Sequence, residues 1–216
     1  MLFSISGPLL LSFDKRVAFY KKWKYLPLSI LFPYLLFVVW DIIFVKLGVW
    51  NFNLNYITGI SIISLPLEEH MFFIIIPYAC IFVYECTNYY IKQDFLAPFT
   101  KVISIAIIAA MSLVILIFND RLYTTITFSL FIFCLFYLQF IGTVKWLSRF
   151  YVGYLFSFLP FLIVNGVLTS LPVVIYNNTE NLGFRMGTIP VEDTFYGMLL
   201  ILLNTAIYEK LKEKSS

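Results

Sequence analysis

The chain has 216 residues, of which 61% are hydrophobic and only 12% are charged. A soluble globular domain is roughly 45–50% apolar and about 25% charged, so the composition excludes a soluble protein and predicts an all-α integral membrane protein. The formal net charge of +3 reflects a few basic residues at loops and ends. No basic stripe for nucleic acid is present.

Seven apolar segments follow one another along the chain, and a membrane-spanning helix needs about 20 residues. The six long ones are Tyr25–Leu47, Ile57–Tyr84, Lys101–Phe118, Leu122–Gly142, Phe150–Leu171 and Gly187–Tyr208. The second of these is expected to break near Pro66. Residues 2–13 form a further, shorter segment, which lacks the basic start and small-residue cleavage site of a signal peptide.

The positive charges predict an orientation. If the N-terminus lies outside the cell, 12 of the 15 basic residues fall in cytoplasmic segments, and the exceptions are Lys46, Arg121 and Arg185. Short cytoplasmic loops of membrane proteins are enriched in Lys and Arg. We therefore expect a multi-pass protein of the cell membrane with an external N-terminus and a cytoplasmic C-terminus.

The chain contains an internal repeat. Gly59–Glu69 reads GISIISLPLEE and Gly183–Asp193 reads GFRMGTIPVED, and in both cases a Tyr-Glu pair ends the segment seventeen residues after the first Glu. We predict two three-helix repeats, residues 1–92 and 121–216, joined by a linking helix within 93–120. One linking helix gives both repeats the same direction, so their axis of symmetry runs along the membrane normal.

Five acidic residues are predicted at membrane depth: Asp41, Glu68, Glu69, Glu192 and Asp193. A charge at the centre of a membrane helix costs roughly 2.5–3.5 kcal/mol. An acid in the first turn of a helix gains only about 0.3–1 kcal/mol from the helix dipole. Because helix capping alone does not offset this cost, we predict that the two acidic pairs face each other in one functional site between the repeats.

The surroundings of these acids lead to three narrower expectations. Two neighbouring carboxyl groups in an apolar setting should retain at least one proton near neutrality. Asp41 is expected to support the pairs, and its counterpart in the second repeat is Asn165 or Leu168. His70, whose counterpart is Thr194, is either a proton relay or a packing residue.

The remaining residues favour proton transfer to an apolar substrate. The three cysteines lack metal-ligand spacing and no glycine-rich phosphate loop occurs, so no metal or cofactor is expected. Protonation of a carbon–carbon double bond creates a carbocation, which an aromatic face stabilises by about 0.5–2 kcal/mol. The aromatic residues closest in sequence to the acids are Trp40, Phe72, Phe73, Tyr78, Phe195 and Tyr196.

The motifs PLEE and PVED, together with WDIIFVKLGVWNFN upstream of the first, resemble the heterodimer-type lycopene cyclases, with both subunits fused into one chain. The resemblance covers nearly the whole sequence. It implies a cofactor-free lycopene β-cyclase, an intramolecular lyase that takes the C40 polyene from the bilayer and closes its ends into the β-rings of γ-carotene and β-carotene. It also implies Glu68 and Glu192 as principal acids, with Glu69 and Asp193 as bases or proton-sharing partners. A homo-oligomer is compatible with it.

Other classes stay open at this point. Small sugar transporters of the SWEET and PQ-loop type share the order of three, one and three helices, but a sugar site requires inward-facing amides and hydroxyls. A membrane prenyltransferase requires Asp-rich magnesium motifs that the sequence lacks. A structural subunit that partners another cyclase polypeptide is the third alternative.

Overall fold

The computed structural model describes residues 2–215, and α-helices dominate this part of the chain. The helices are α1 (Leu2–Leu11), α2 (Leu26–Lys46), α3 (Leu67–Tyr90), α4 (Thr100–Ile117), α5 (Leu122–Phe136), α6 (Leu147–Ser170) and α7 (Val191–Glu213). Short 3₁₀ turns precede α2 and α4, and a π-helical turn follows α5. The predicted all-α class and the seven helices are confirmed.

Within residues 2–215, five helices are long and apolar enough to cross a membrane, namely α2 to α6 with their flanking turns. The chain is therefore a membrane protein. The shorter α1 has ten residues. Helix α7 has 23 residues but is more polar, and it packs against α2, α3, α5 and α6. Because protein encloses α7, several of its polar side chains, among them Glu192, Asp193 and Tyr208, form hydrogen bonds inside the bundle.

Two helices start inside the apolar segments that contain them. Helix α3 begins at Leu67, at the break expected near Pro66, and α7 begins at Val191 rather than Gly187. In both, the preceding proline is the N-cap residue and has an extended backbone, which suits a residue just outside a helix. The residues upstream form two-stranded antiparallel hairpins, β2 (Ser61–Ile62) with β3 (Leu65–Pro66) and β5 (Arg185–Met186) with β6 (Ile189–Pro190).

The two halves of the chain repeat the same backbone hydrogen bonds at a spacing of 124 residues. The amide of Leu67 donates to the carbonyl oxygen of Ile60 at 2.8 Å. The matching amide of Val191 donates to the carbonyl oxygen of Phe184 at 3.1 Å. Two structural repeats should show such matching hydrogen bonds. The bounds of the repeats, residues 1–92 and 121–216, remain a prediction.

A third strand pair joins the halves to each other. Strands β1 (Trp50–Phe52) and β4 (Val174–Tyr176) pair antiparallel, with Asn51 opposite Ile175. These two residues are 124 apart and are therefore counterparts. An antiparallel pair centred on two counterparts has a local two-fold axis at its midpoint, so the approximate symmetry axis of the bundle passes between β1 and β4.

The same spacing fixes the counterpart of the acid in α2. Helices α2 and α6 are each followed by the same hydrogen bond, from an amide to the carbonyl five residues earlier (Val49 to Phe44, and Val173 to Leu168). Both helices run without interruption up to these bonds. The counterpart of Asp41 is therefore Asn165, one of the two predicted alternatives.

An ion-pair cluster fixes the opposite ends of α3 and α7. The carboxylate of Glu85, only 3% exposed, accepts hydrogen bonds from Tyr208 at 2.7 Å and from Lys212 at 3.0 Å. Lys22, in the turn before α2, forms a further ion pair with it. These contacts set the relative position of the two helices that carry the acidic motifs.

Candidate active site

The hairpins place both acidic pairs at the start of a helix. Glu68 and Glu69 are the second and third residues of α3, and Glu192 and Asp193 are the second and third residues of α7. Neighbouring residues of a helix point about 100° apart. The two members of each pair therefore face different surroundings.

The first acid of each pair binds the loop that precedes its helix. An oxygen of Glu68 accepts a hydrogen bond from the amide of Thr58 at 2.7 Å, and Glu192 accepts one from the amide of Leu182, also at 2.7 Å. Each partner lies ten residues upstream. Glu192 is completely buried and accepts a second bond from the hydroxyl of Thr124 at 2.6 Å. Both first acids lie outside the cavity described next, in positions that hold the loops.

The second acid of each pair lines a cavity of about 60 Å³ between the two halves, together with Asp41. Glu69 and Asp41 lie within hydrogen-bonding reach of each other, and the hydroxyl of Tyr196 donates to Asp41 at 2.6 Å. A carboxylate has no hydrogen to donate. A hydrogen bond between Glu69 and Asp41 therefore requires one proton shared by the pair.

Asp193 has different surroundings, because three donors converge on its carboxylate. The hydroxyl of Tyr123 donates to one oxygen at 2.7 Å, while the hydroxyl of Tyr176 and the side-chain amide of Asn165 donate to the other at 2.7 and 2.8 Å. Burial raises the pKa of the Tyr176 phenol well above its ordinary value, so this hydroxyl keeps its proton and remains a donor. The arrangement suits a carboxylate that accepts hydrogen bonds.

Aromatic rings form much of the cavity wall, but only some of them are those predicted. Phe72 and Tyr196 line the cavity. The others pack behind the wall: Trp40 against Tyr196, Phe73 against Phe37, and Phe195 against Phe128, while Tyr78 lies in a separate cluster. The rings that the sequence analysis missed are Trp50, Phe52, Tyr123, Phe161 and Tyr176.

One feature of the sequence could have identified two of these five residues, Trp50 and Tyr176. Trp50 precedes Asn51 in GVWN, and Tyr176 precedes Asn177 in VIYN, a likeness in sequence that is offset by two residues from the structural spacing of 124. The pairing of β1 with β4 places Trp50 opposite Tyr176 at the symmetry axis, beside the acids. No pattern in the sequence marks Tyr123.

His70 lies away from the cavity and holds the turn of the first hairpin. Its Nε2 is 2.8 Å from the carbonyl oxygen of Ile62, which can only accept, so Nε2 carries the hydrogen. In the neutral imidazole, Nδ1 then accepts from the hydroxyl of Tyr34 at 2.8 Å. The turn that it supports places Ile63 and Ser64 at positive φ, which is unusual for a β-branched residue. These contacts favour the packing role over the proton relay.

A second, larger cavity of about 310 Å³ adjoins the first. It lies between α3, α6 and α7, with Ser4 and Pro8 of α1 beside it. Four residues line both cavities: Phe72, Phe161, Asn165 and Gly197. We call the larger cavity the apolar crevice and the smaller one the acid cavity.

A comparison with known protein families identifies the family of the chain. The family model for lycopene cyclase matches residues 1–87 and 120–211, two blocks that each contain one acidic motif and omit the linking helix. No curated protein and no solved structure matches the chain. Because the family match covers well over half of the sequence, the chain belongs to the lycopene cyclase family.

Proposed function

We propose that this protein is a lycopene β-cyclase that closes each acyclic end of lycopene into a β-ring, giving γ-carotene and then β-carotene. One observation supports it above the others: Asp41, Glu69 and Asp193 meet around one aromatic-lined cavity that adjoins an apolar crevice. A proton donor, a proton acceptor and a hydrocarbon binding site are what a proton-initiated cyclisation requires.

In the proposed reaction, the proton shared by Asp41 and Glu69 is transferred from Glu69 to C2 of the terminal double bond of lycopene. The positive charge then forms at C1, and the C5=C6 double bond attacks it to close the ring. The charge moves to C5, and Asp193 removes the proton from C6 to leave the double bond of a β-ring. In this proposal the first acids, Glu68 and Glu192, hold the loops. The resemblance to the family had implied them as the principal acids.

The cavity wall would stabilise the cationic intermediates. Cation–π contacts contribute about 0.5–2 kcal/mol for each aromatic face, and Trp50, Phe72 and Phe161 are wall residues without a hydroxyl that could capture the cation. The nearby hydroxyls of Tyr123, Tyr176 and Tyr196 all donate to the acids. Their hydrogen bonds hold these oxygens towards the carboxylates.

The reaction consumes no net proton, since one is given to C2 and one is taken from C6. Return of the proton from Asp193 to the Asp41–Glu69 pair restores the resting enzyme, and the three groups interact electrostatically. The reaction is thus an isomerisation, an intramolecular lyase step without a cofactor. We further propose that lycopene enters from the bilayer of the cell membrane, with the N-terminus of the protein outside.

The test is expression in a bacterium that accumulates lycopene, followed by chromatography of the pigments. We expect γ-carotene and β-carotene with the wild-type protein and only lycopene with the Glu69→Gln/Asp193→Asn double variant at equal membrane abundance. Unchanged lycopene with abundant wild-type protein, or products with ε-rings, would contradict the proposal. Sugar uptake by vesicles that contain the protein would support the transporter class.

A further inference from the structure

We infer that the apolar crevice binds the part of the polyene chain that adjoins the acyclic end in the acid cavity, within the same substrate molecule. This inference rests on the proposed function and adds a binding site for the next section of the substrate. It also assigns Gly197 and Ala79 as residues that determine which chain can bind.

The shape of the crevice suits a long, narrow ligand. On α3 its lining runs from Phe72 to Val83, and on α6 it runs from Asn165 to Tyr154. The ends of each stretch are eleven residues apart, which is about 16 Å of helix at 1.5 Å per residue. The crevice therefore extends along the helices from the acid cavity towards the opposite end of the bundle, and a linear chain can pass from one into the other.

The lining also defines the chemical class of the ligand. Three of its polar side chains already donate their hydrogens within the protein: Ser157 to the carbonyl of Gly153, Tyr154 to the carbonyl of Thr194, and Asn165 to the carboxylate of Asp193. Most of the other lining residues are apolar. A ligand with hydroxyl groups would lose its hydrogen bonds to water here, whereas a hydrocarbon has none to lose.

The symmetry of the bundle shows why the crevice exists on one side. Gly197 lines the junction of the two cavities, and its counterpart in the first repeat is Phe73. Phe73 is fully buried against Phe37, the counterpart of Phe161, with ring centroids 5.9 Å apart. A Cβ atom added to Gly197 would already lie 3.5 Å from the ring of Phe161. A phenylalanine fills this junction in the first repeat, and glycine leaves it free in the second.

One acid cavity with one adjoining crevice implies one ring closure for each binding event. After the first closure the product must leave, turn around and bind again with its remaining acyclic end in the acid cavity. The monocyclic product should therefore appear free in the membrane before the bicyclic one.

The test fills the crevice at a distance from the acids. Ala79 lies in the lining, seven residues or about 10 Å beyond Phe72 along α3. For Ala79→Phe we expect the turnover of lycopene to fall at least about tenfold, because the displaced chain misplaces the reacting end. A truncated analogue that keeps the acyclic end and one further isoprene unit should be cyclised within about twofold of the wild-type rate. Ala79→Leu should show a smaller loss with lycopene alone.

The matched control is Ala110→Phe on the exposed face of α4, which should change neither rate. Equal losses for both substrates in Ala79→Phe, or no loss for either, would overturn the inference. A wild-type protein that is inactive on both substrates would instead count against the proposed function.

A second readout does not need turnover. We expect lycopene to copurify with the Asp193→Asn protein, to remain when Ala110→Phe is added, and to be lost when Ala79→Phe is added. Retention of lycopene with Ala79→Phe would overturn the inference even if the enzyme proved inactive.

Discussion

The two acidic motifs have the same backbone conformation but differ in the residues that surround the second acid. In the first repeat Glu69 lies within hydrogen-bonding reach of another carboxyl group, Asp41. In the second repeat the counterpart of Asp41 is Asn165, which donates a hydrogen bond to Asp193 at 2.8 Å. An acid in one repeat and an amide in the other thus give two neighbouring carboxyl groups, which share a proton in the proposed reaction, and a carboxylate surrounded by donors.

This difference shows how one repeated scaffold can supply both an acid and a base. Two identical sites would present two groups of the same character, and an acid and a base need different environments. The repeated hairpins, prolines and first acids fix the position of the second acids. The neighbours on α2, α5 and α6 then determine what each second acid can do.

The largest effect is expected from removing the acids that line the cavity. Glu69→Gln and Asp193→Asn keep the size of the side chain but remove the proposed proton donor and the proposed proton acceptor. Loss of a general acid or base typically lowers the rate by about 10²–10⁴. We expect a decrease of that size in the initial rate of ring closure, measured in membranes supplied with lycopene.

The matched controls are Glu68→Gln and Glu192→Gln, which make the same chemical change one residue earlier. Their loop contacts use one oxygen, which glutamine retains, so their rates should stay within about tenfold of the wild type. A severe loss in these two variants alone would assign catalysis to the first acids, as the resemblance to the family implied.

The second prediction exchanges the residues that distinguish the repeats. Asp41→Asn removes the carboxyl group next to Glu69, and we expect a decrease of about 10–10² in rate because no proton is shared by two acids. Asn165→Asp replaces a donor to Asp193 with another acid, and a loss of about tenfold is expected from the added repulsion. We expect the pH dependence of the rate to be shifted in both variants. If these residues only pack, the pH dependence should match that of the wild type.

The general arrangement of the protein could be predicted from the sequence, because it depends on local patterns. Apolar segments, two prolines and two acidic pairs at equal spacing were sufficient to indicate seven helices and to bring one acid of each pair to the same cavity. The hairpin before α3 could not be predicted, because Ile57 to Pro66 is apolar enough for a helix, and the hairpin turn depends on tertiary contacts such as that between His70 and Ile62.

The roles of adjacent acids were harder to predict for a geometric reason. Glu68 and Glu69 are neighbours in sequence, and only the rotation of α3 within the bundle determines which of them faces the other repeat. That rotation depends on distant contacts, for example the cluster of Glu85 with Tyr208 and Lys212 at the other end. The wall residue Tyr123 comes from α5, far from either motif in sequence.

The third prediction compares the two first acids by stability. Glu192 is fully buried and accepts bonds from Thr124 and from the amide of Leu182, whereas Glu68 is partly exposed and accepts one. A buried donor left without a partner costs about 1–3 kcal/mol. Glu192→Ala should therefore lower the thermal stability of the purified protein in detergent clearly more than Glu68→Ala. Equal decreases would show that burial of Glu192 is not what makes its contacts important.

The smallest effect is expected at the turn of the first hairpin, where the repeats differ again. Ile63 has a φ of 47°, and its counterpart Gly187 has a φ of 65°, a conformation that costs a residue with a side chain about 1–2 kcal/mol. His70 holds this turn through Ile62, while Thr194 takes its place in the second repeat.

We expect His70→Thr to lower the free energy of unfolding by about 1 kcal/mol and to leave the rate of ring closure within about twofold. Adding Ile63→Gly, as in the second repeat, should recover the lost stability because glycine adopts positive φ without strain. A loss of about 10² in rate without a change in stability would instead be the result for a proton relay, and measurements of thermal unfolding and pigment formation on the same three proteins separate the two roles.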